Sequence, residues 1–166
     1  KNGLIYGKRN GFFFSIHQDP ATPAKHTVYL WVKEDGTTAV PAISDFLNQC
    51  TAKHQYLQSA SYSGTRITAE FQGLGFYWGK NYVPFLDAFL RDITSYCSSN
   101  QLVPCCQSCG SSAGLNLYQI EDSEHMFCSS CYASASDNLQ RQAAEKSKKG
   151  SGNIVGGIVG ALLGSV

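Results

Sequence analysis

Two cysteine pairs constrain this chain more than any other feature: Cys106-Gln107-Ser108-Cys109 and Cys128-Ser129-Ser130-Cys131, separated by the eighteen residues from Gly110 to Phe127. Two residues between the members of a pair let both sulfurs turn toward one centre, and thiolates are soft, anionic ligands that zinc binds well. A separation of this size lets two such knuckles meet around one tetrahedral ion. The total of seven cysteines is odd, which points to metal binding rather than to a disulfide framework, and hence to a reducing compartment. The expected zinc ligands are Cys106, Cys109, Cys128 and Cys131. A redox reading competes, but a thioredoxin-like site needs a single C-x-x-C after a strand at a helix start. Cys105, beside the first pair, and His125 are the residues that could stand in for a ligand.

Four thiolates fill the coordination sphere and leave no open position for water or substrate, so the expected zinc is structural. From Cys105 to Ala135 there is no Lys or Arg, while Glu121, Asp122 and Glu124 are present. That surface repels phosphates, which argues against nucleic acid as its partner and leaves protein contact or stabilisation.

Around the cysteines, Leu115, Leu117 and Tyr118 read as a strand, Glu121 to Glu124 as a polar turn, and Met126 and Phe127 as a return strand. The stretch from Ser134 to Lys149 is rich in Ala, Gln, Arg, Glu and Lys, good helix formers, with Ser136 or Asp137 available as an N-cap. A knuckle, a hairpin, a second knuckle and a helix leaving it resemble the treble-clef zinc finger; the hairpin alone also resembles a zinc ribbon. The resemblance covers Cys105 to about Lys149 and implies a structural four-cysteine zinc module.

The residues before it read differently. Phe12, Phe14 and Ile16 alternate with Phe13, Ser15 and His17, and Val28, Leu30 and Val32 alternate with Tyr29, Trp31 and Lys33, the period of strands. Pro20 and Pro23 punctuate the loop between them. After Pro41, the residues Ile43, Phe46, Leu47, Cys50, His54 and Leu57 recur at helical spacing. Ile67, Ala69 and Phe71 predict another strand, and Phe76 to Trp78 a short partner for it. Pro84 opens a second helix with an apolar stripe of Phe85, Leu86, Phe89, Leu90, Ile93 and Cys97, opposite Asp87, Arg91 and Asp92, a face expected to be solvated. The order β-β-α-β-(β)-α predicts an α+β domain: a two-layer arrangement of antiparallel sheet and two helices. At 43% hydrophobic residues the chain can form such a core. The expected division is an α+β domain at 1–101, the zinc module at 102–135, a basic linker helix at 136–150 and a Gly-rich apolar tail at 151–166.

Arg141, Lys146, Lys148 and Lys149 precede that tail, and Ile154 to Val166 carries no charge. Thirteen helical residues reach only about 20 Å against a hydrocarbon core of about 30 Å. The expectation is therefore the first part of a transmembrane segment. The positive-inside tendency then places the preceding domain in the cytoplasm, where thiolates survive. Gly152, Gly156, Gly160 and Gly164 fall on one helical face and resemble a glycine zipper, which implies homo-oligomerisation in the membrane. The alternative is a flexible tail on a soluble cytoplasmic protein.

No catalytic constellation is legible: there is no phosphate loop, G-x-S-x-G or H-E-x-x-H, and His17, His26 and His54 stand alone. Cys50 and His54, four residues apart, can be drawn as a dyad, although both suit a core face better. The expected function is a non-enzymatic cytoplasmic interaction or sensor domain of a membrane-anchored protein, with an unidentified protein partner. The alternative is a soluble enzyme or ligand-binding domain with a pocket near Trp78 and the Cys50 helix. A third reading, nucleic-acid binding through 134–149, is weakened by Asp137 and Glu145 among its basic residues and by a net charge of only +1.

Overall fold

The computed structural model describes residues 4–35, 43–73, 83–120 and 123–149. The chain divides into two compact units, Lys1–Pro104 and Cys105–Val166.

The N-terminal unit is built on a five-stranded antiparallel sheet. Strands β1 (Leu4–Arg9) and β2 (Phe12–Gln18) form a hairpin closed by Asn10 and Gly11. Both turn residues have positive φ, 48° and 87°, as a two-residue turn matched to strand twist requires; Asn and Gly are the residues that adopt it most readily. Next come β3 (Lys25–Leu30), the short β4 (Val32–Glu34), helix α1 (Ile43–Lys53), β5 (Leu57–Tyr62), β6 (Ile67–Gln72), helix α2 (Val83–Ser99) and β7 (Leu102–Pro104). The sheet order is β1-β2-β3-β6-β5, and β4 pairs separately with β7. The fold is α+β with antiparallel sheets, as expected.

Register explains the core. Ile16, Val28, Ala69 and Ala60 lie opposite one another across four strands, as do Phe14, Leu30, Ile67 and Tyr62. Alternation puts all of them on one face, and onto them pack Ile43, Leu47 and Cys50 of α1 and Leu86, Phe89, Leu90, Ile93 and Cys97 of α2. Phe89 meets Phe71 edge to face at 5.4 Å between centroids, a favoured aromatic geometry. Each such buried side chain contributes about 1.5–3 kcal/mol.

Several boundaries differ from expectation. Leu57 begins β5 instead of closing the α1 face. The helix stops because Tyr56 is left-handed, φ 73°, and the Leu57 amide bonds back to the His54 carbonyl at 3.2 Å. The expected second strand ends at Leu30, and Val32 starts the separate pairing with β7. Strand β6 has β3 on one edge and β5 on the other; the proposed partner at Phe76–Trp78 lies outside the described residues, as does Pro41. Asp87 and Asp92 are not a merely solvated face. Asp87 pairs with Arg9 of β1, and Asp92 binds Lys53 at 2.6 Å and His54 at 3.1 Å, tying α2 to α1.

The C-terminal unit contains a hairpin, β8 (Leu115–Ile120) with β9 (Ser123–Cys128), followed at once by α3 (Ser129–Lys149). The helix thus starts five residues before the expected Ser134 and takes in Cys131, the second member of the second cysteine pair. Tyr132 in its first turn stacks on Tyr118 of β8 at 3.7 Å, which pins the start of the helix to the hairpin.

Candidate metal centre

Each pair of cysteines is held by a different local device. In the first, the Gly110 amide donates to the Cys106 carbonyl at 2.9 Å and the Cys106 amide to the Ser111 carbonyl at 2.8 Å. Gly110 closes this knuckle at φ 72°, a conformation that glycine adopts without steric cost. In the second, Cys128 ends β9 and Cys131 sits in the first turn of α3, so strand and helix aim one sulfur each.

The result is that all four expected ligands come together. The Sγ atoms of Cys106, Cys109, Cys128 and Cys131 lie within 4.8 Å of one another, and Cys109 and Cys128 are 3.6 Å apart. Tetrahedral zinc with bonds of about 2.3 Å requires sulfurs about 3.8 Å apart, so the donor set fits such an ion. Cys106 and Cys128 are buried, Cys131 is half-buried and Cys109 is exposed. Cys105 is buried but is not one of the four, nor is His125.

The thiols are unequal as acids. Burial opposes ionisation of Cys106, but hydrogen bonds from the backbone at Cys109, Cys128 and Ser108 outweigh it and bring the thiol down to about 6. At Cys131 the Ser108 side chain favours the thiolate, yet the neighbouring Cys109 and Cys128 sulfurs push the value up to about 12. Four sulfurs this close resist carrying four charges at once, so an arriving cation must displace protons from the set.

Gln107, between the first two cysteines, joins the site through contacts that C-x-x-C spacing does not predict. Its backbone amide donates to the Met126 carbonyl at 2.9 Å, its Oε1 accepts from the Met126 amide at 3.2 Å, and its Nε2 lies 2.7 Å from Nδ1 of His125. A lone glutamine between two cysteines carries no periodic signal, so only the folded chain reveals this contact.

The Cys50 and His54 pair does not assemble into a dyad of activated groups. Cys50 is 2% exposed; burial first, and then the nearby Asp92 charge, push its thiol up to about 11. The His54 imidazole is turned to Asp92 and packs edge-on against Phe89. His26 is buried opposite Phe71, where desolvation lowers its pKa and favours the neutral ring. A cleft of about 400 Å³ does lie between α1 and α2, with Phe46, Cys50, Lys53, Asp92 and Tyr96 among its lining. Trp78, expected near such a pocket, lies outside the described residues.

Among the described residues no helix is long and apolar enough to cross a membrane; the expected segment at 151–166, with its four glycines, lies outside them. No protein-family model, curated protein or solved structure matches the chain.

Proposed function

We propose that the C-terminal unit is a structural zinc module of treble-clef type, and that the chain is a non-enzymatic cytoplasmic interaction or sensor domain of a membrane-anchored protein. The observation that carries the first statement is the convergence of four sulfurs within 4.8 Å. The order of knuckle, hairpin and helix, with Cys131 in the first helical turn, supports the treble-clef comparison over the ribbon. Zinc closes the sphere with four thiolates, so its contribution is to hold the knuckle and the start of α3 in one fixed geometry.

The larger reading is supported by sequence order. A domain with its own core precedes the module, a helix with basic residues at its far end follows, and an uncharged glycine-rich segment comes last. The module then acts as a rigid joint between the domain and its anchor, and the glycines at 152, 156, 160 and 164 form a self-association face. The burial of the Cys50 thiol and the commitment of His54 to Asp92 favour a non-enzymatic role for α1.

Two measurements test this. Metal analysis of the purified chain is expected to give one zinc per molecule, and metal-free protein with a reversible dithiol sinks the zinc assignment. Fractionation of the full-length protein is expected to place it with membranes; recovery wholly in the soluble fraction removes the anchor. The second reading, a ligand-binding domain, rests on the cleft beside Cys50. A small molecule that raises the melting temperature of the intact chain, but not of a Gln49→Trp variant that crowds the cleft from its exposed side, would favour it.

A further inference from the structure

Resting on the zinc reading, we infer that Gln107 is the positioning residue of the metal centre, clasping the first cysteine pair to the second before the ion arrives. Gln107 follows the ligand Cys106, and Met126 lies two residues before the ligand Cys128. The backbone and side chain of this one glutamine engage both hydrogen-bonding groups of Met126, the carbonyl at 2.9 Å and the amide at 3.2 Å. This is the double bond pattern of a strand neighbour, supplied to β9 in part by a side-chain amide.

The polarity of the clasp is settled by its donors. The Met126 N–H can only donate, so the atom facing it must be Oε1, which turns Nε2 toward His125. Nε2 can only donate in turn, so Nδ1 of His125 is the acceptor and its proton sits on Nε2. His125 also lies flat against Phe127, 5.4 Å between centroids with planes 5° apart, so the acceptor is itself held in place. A leucine here lacks every polar contact of the side chain, and an asparagine is one methylene short of both partners.

The physical consequence lies in the cost of assembling the tetrahedron. Without the side-chain clasp, the ion must itself restrict a knuckle that the Gln107 backbone bond ties to β9, and that ordering is subtracted from affinity. Groups that orient ligands without touching the metal typically change its affinity about 10- to 100-fold when removed.

The test uses the full chain, stripped of metal under reducing conditions and titrated with cobalt(II), then zinc(II) in competition. Wild type, Gln107→Leu, His125→Ala and the double variant are compared by thiolate-to-cobalt charge-transfer absorption and by the d–d bands. Gln107→Leu is expected to keep the charge-transfer intensity of four thiolates, to bind about 10- to 100-fold more weakly and to show displaced d–d bands. His125→Ala, which leaves the Met126 bonds intact, is expected to lose about two- to tenfold, as for one hydrogen bond. The double variant should bind no more weakly than Gln107→Leu alone, because both act through one clasp. An affinity of Gln107→Leu within about twofold of wild type overturns the inference, as do fully additive effects. Should Gln107→Leu fail to fold, His125→Ala decides alone: unchanged affinity overturns the clasp. Wild-type protein without charge-transfer bands instead overturns the zinc reading beneath it.

Discussion

The two units solve the same problem with different materials. Among the described residues, the N-terminal unit gathers eighteen buried hydrophobic side chains from strands and both helices into one core, enough apolar area to offset the entropy of ordering the chain. In the C-terminal unit the described buried hydrophobics are Cys105, Cys106, Leu117, Tyr118, Met126 and Cys128, three of them cysteines. The described part of this unit is short and buries little apolar surface, less than a hydrophobic core needs to stand alone. On the zinc reading proposed above, the contrast makes the metal folding energy for the second unit and irrelevant to the first.

The largest expected effect follows from that contrast. Apparent binding energies for structural zinc in comparable small modules are about 10–16 kcal/mol near neutral pH, more than the second unit can replace from packing. A strong chelator is therefore expected to abolish hydrogen-exchange protection from Leu115 to Cys128, leaving β3, β6 and α2 protected. Protection of the hairpin that survives metal removal would break the comparison. Acid should act like the chelator. The thiols must lose protons to bind a cation. Affinity is thus expected to fall as pH is lowered.

The reverse experiment attacks the first unit. Phe89 is fully buried against Phe71, so Phe89→Ala is expected to cost about 3–5 kcal/mol in denaturant unfolding. Zinc affinity should stay as in wild type. A matched loss of metal binding would show that the units fold as one.

The same contrast governs what the sequence disclosed. The clustering of the four cysteines was legible residue by residue, because C-x-x-C spacing is a local pattern and needs no knowledge of distant contacts. Alternation at Phe12–Ile16 and Ile67–Phe71, and the stripe of α2, disclosed the elements buried most asymmetrically. What stayed hidden depends on partners far along the chain. Leu4–Arg9 shows no alternation and is a strand because the Asn10-Gly11 turn folds it onto β2. Leu57 completed a helical period and is strand because Tyr56 adopts a left-handed backbone. Lys53 and Asp92 are 39 residues apart, and Gln107 meets Met126 of β9 across 19 residues.

A smaller effect separates the units by alkaline pH. Cys97 is fully buried on α2, and desolvation pushes its thiol up to about 12. In the unfolded chain it ionises near 9, so between those values the unfolded state holds fewer protons and stability falls as pH rises. The slope approaches about 1.4 kcal/mol per pH unit for one such thiol. Cys97→Val should flatten this loss in the unfolding of the first unit. An unchanged slope would assign the alkaline loss to other groups.

The smallest effect is expected where helices α1 and α2 meet through charge. Lys53 is largely exposed, with 69% of its side chain accessible, and its partner Asp92 keeps a second contact to His54. A solvated ion pair of this kind contributes about 0–1 kcal/mol, and His54 shields Asp92 from being left alone when Lys53 is removed. The hydrogen bond to Lys53 leads the causes that lower the Asp92 pKa. Its stabilisation is therefore complete above the ordinary carboxylate range and disappears as pH falls through the depressed folded value. Lys53→Ala is expected to lower stability by under about 1 kcal/mol at neutral pH and low salt, and by nothing measurable in strong acid or at high salt, where the pair is protonated or screened. A loss that persists at high salt would mean that the lysine stem packs against α2, so that even this contact works by burial, as the rest of the first unit does.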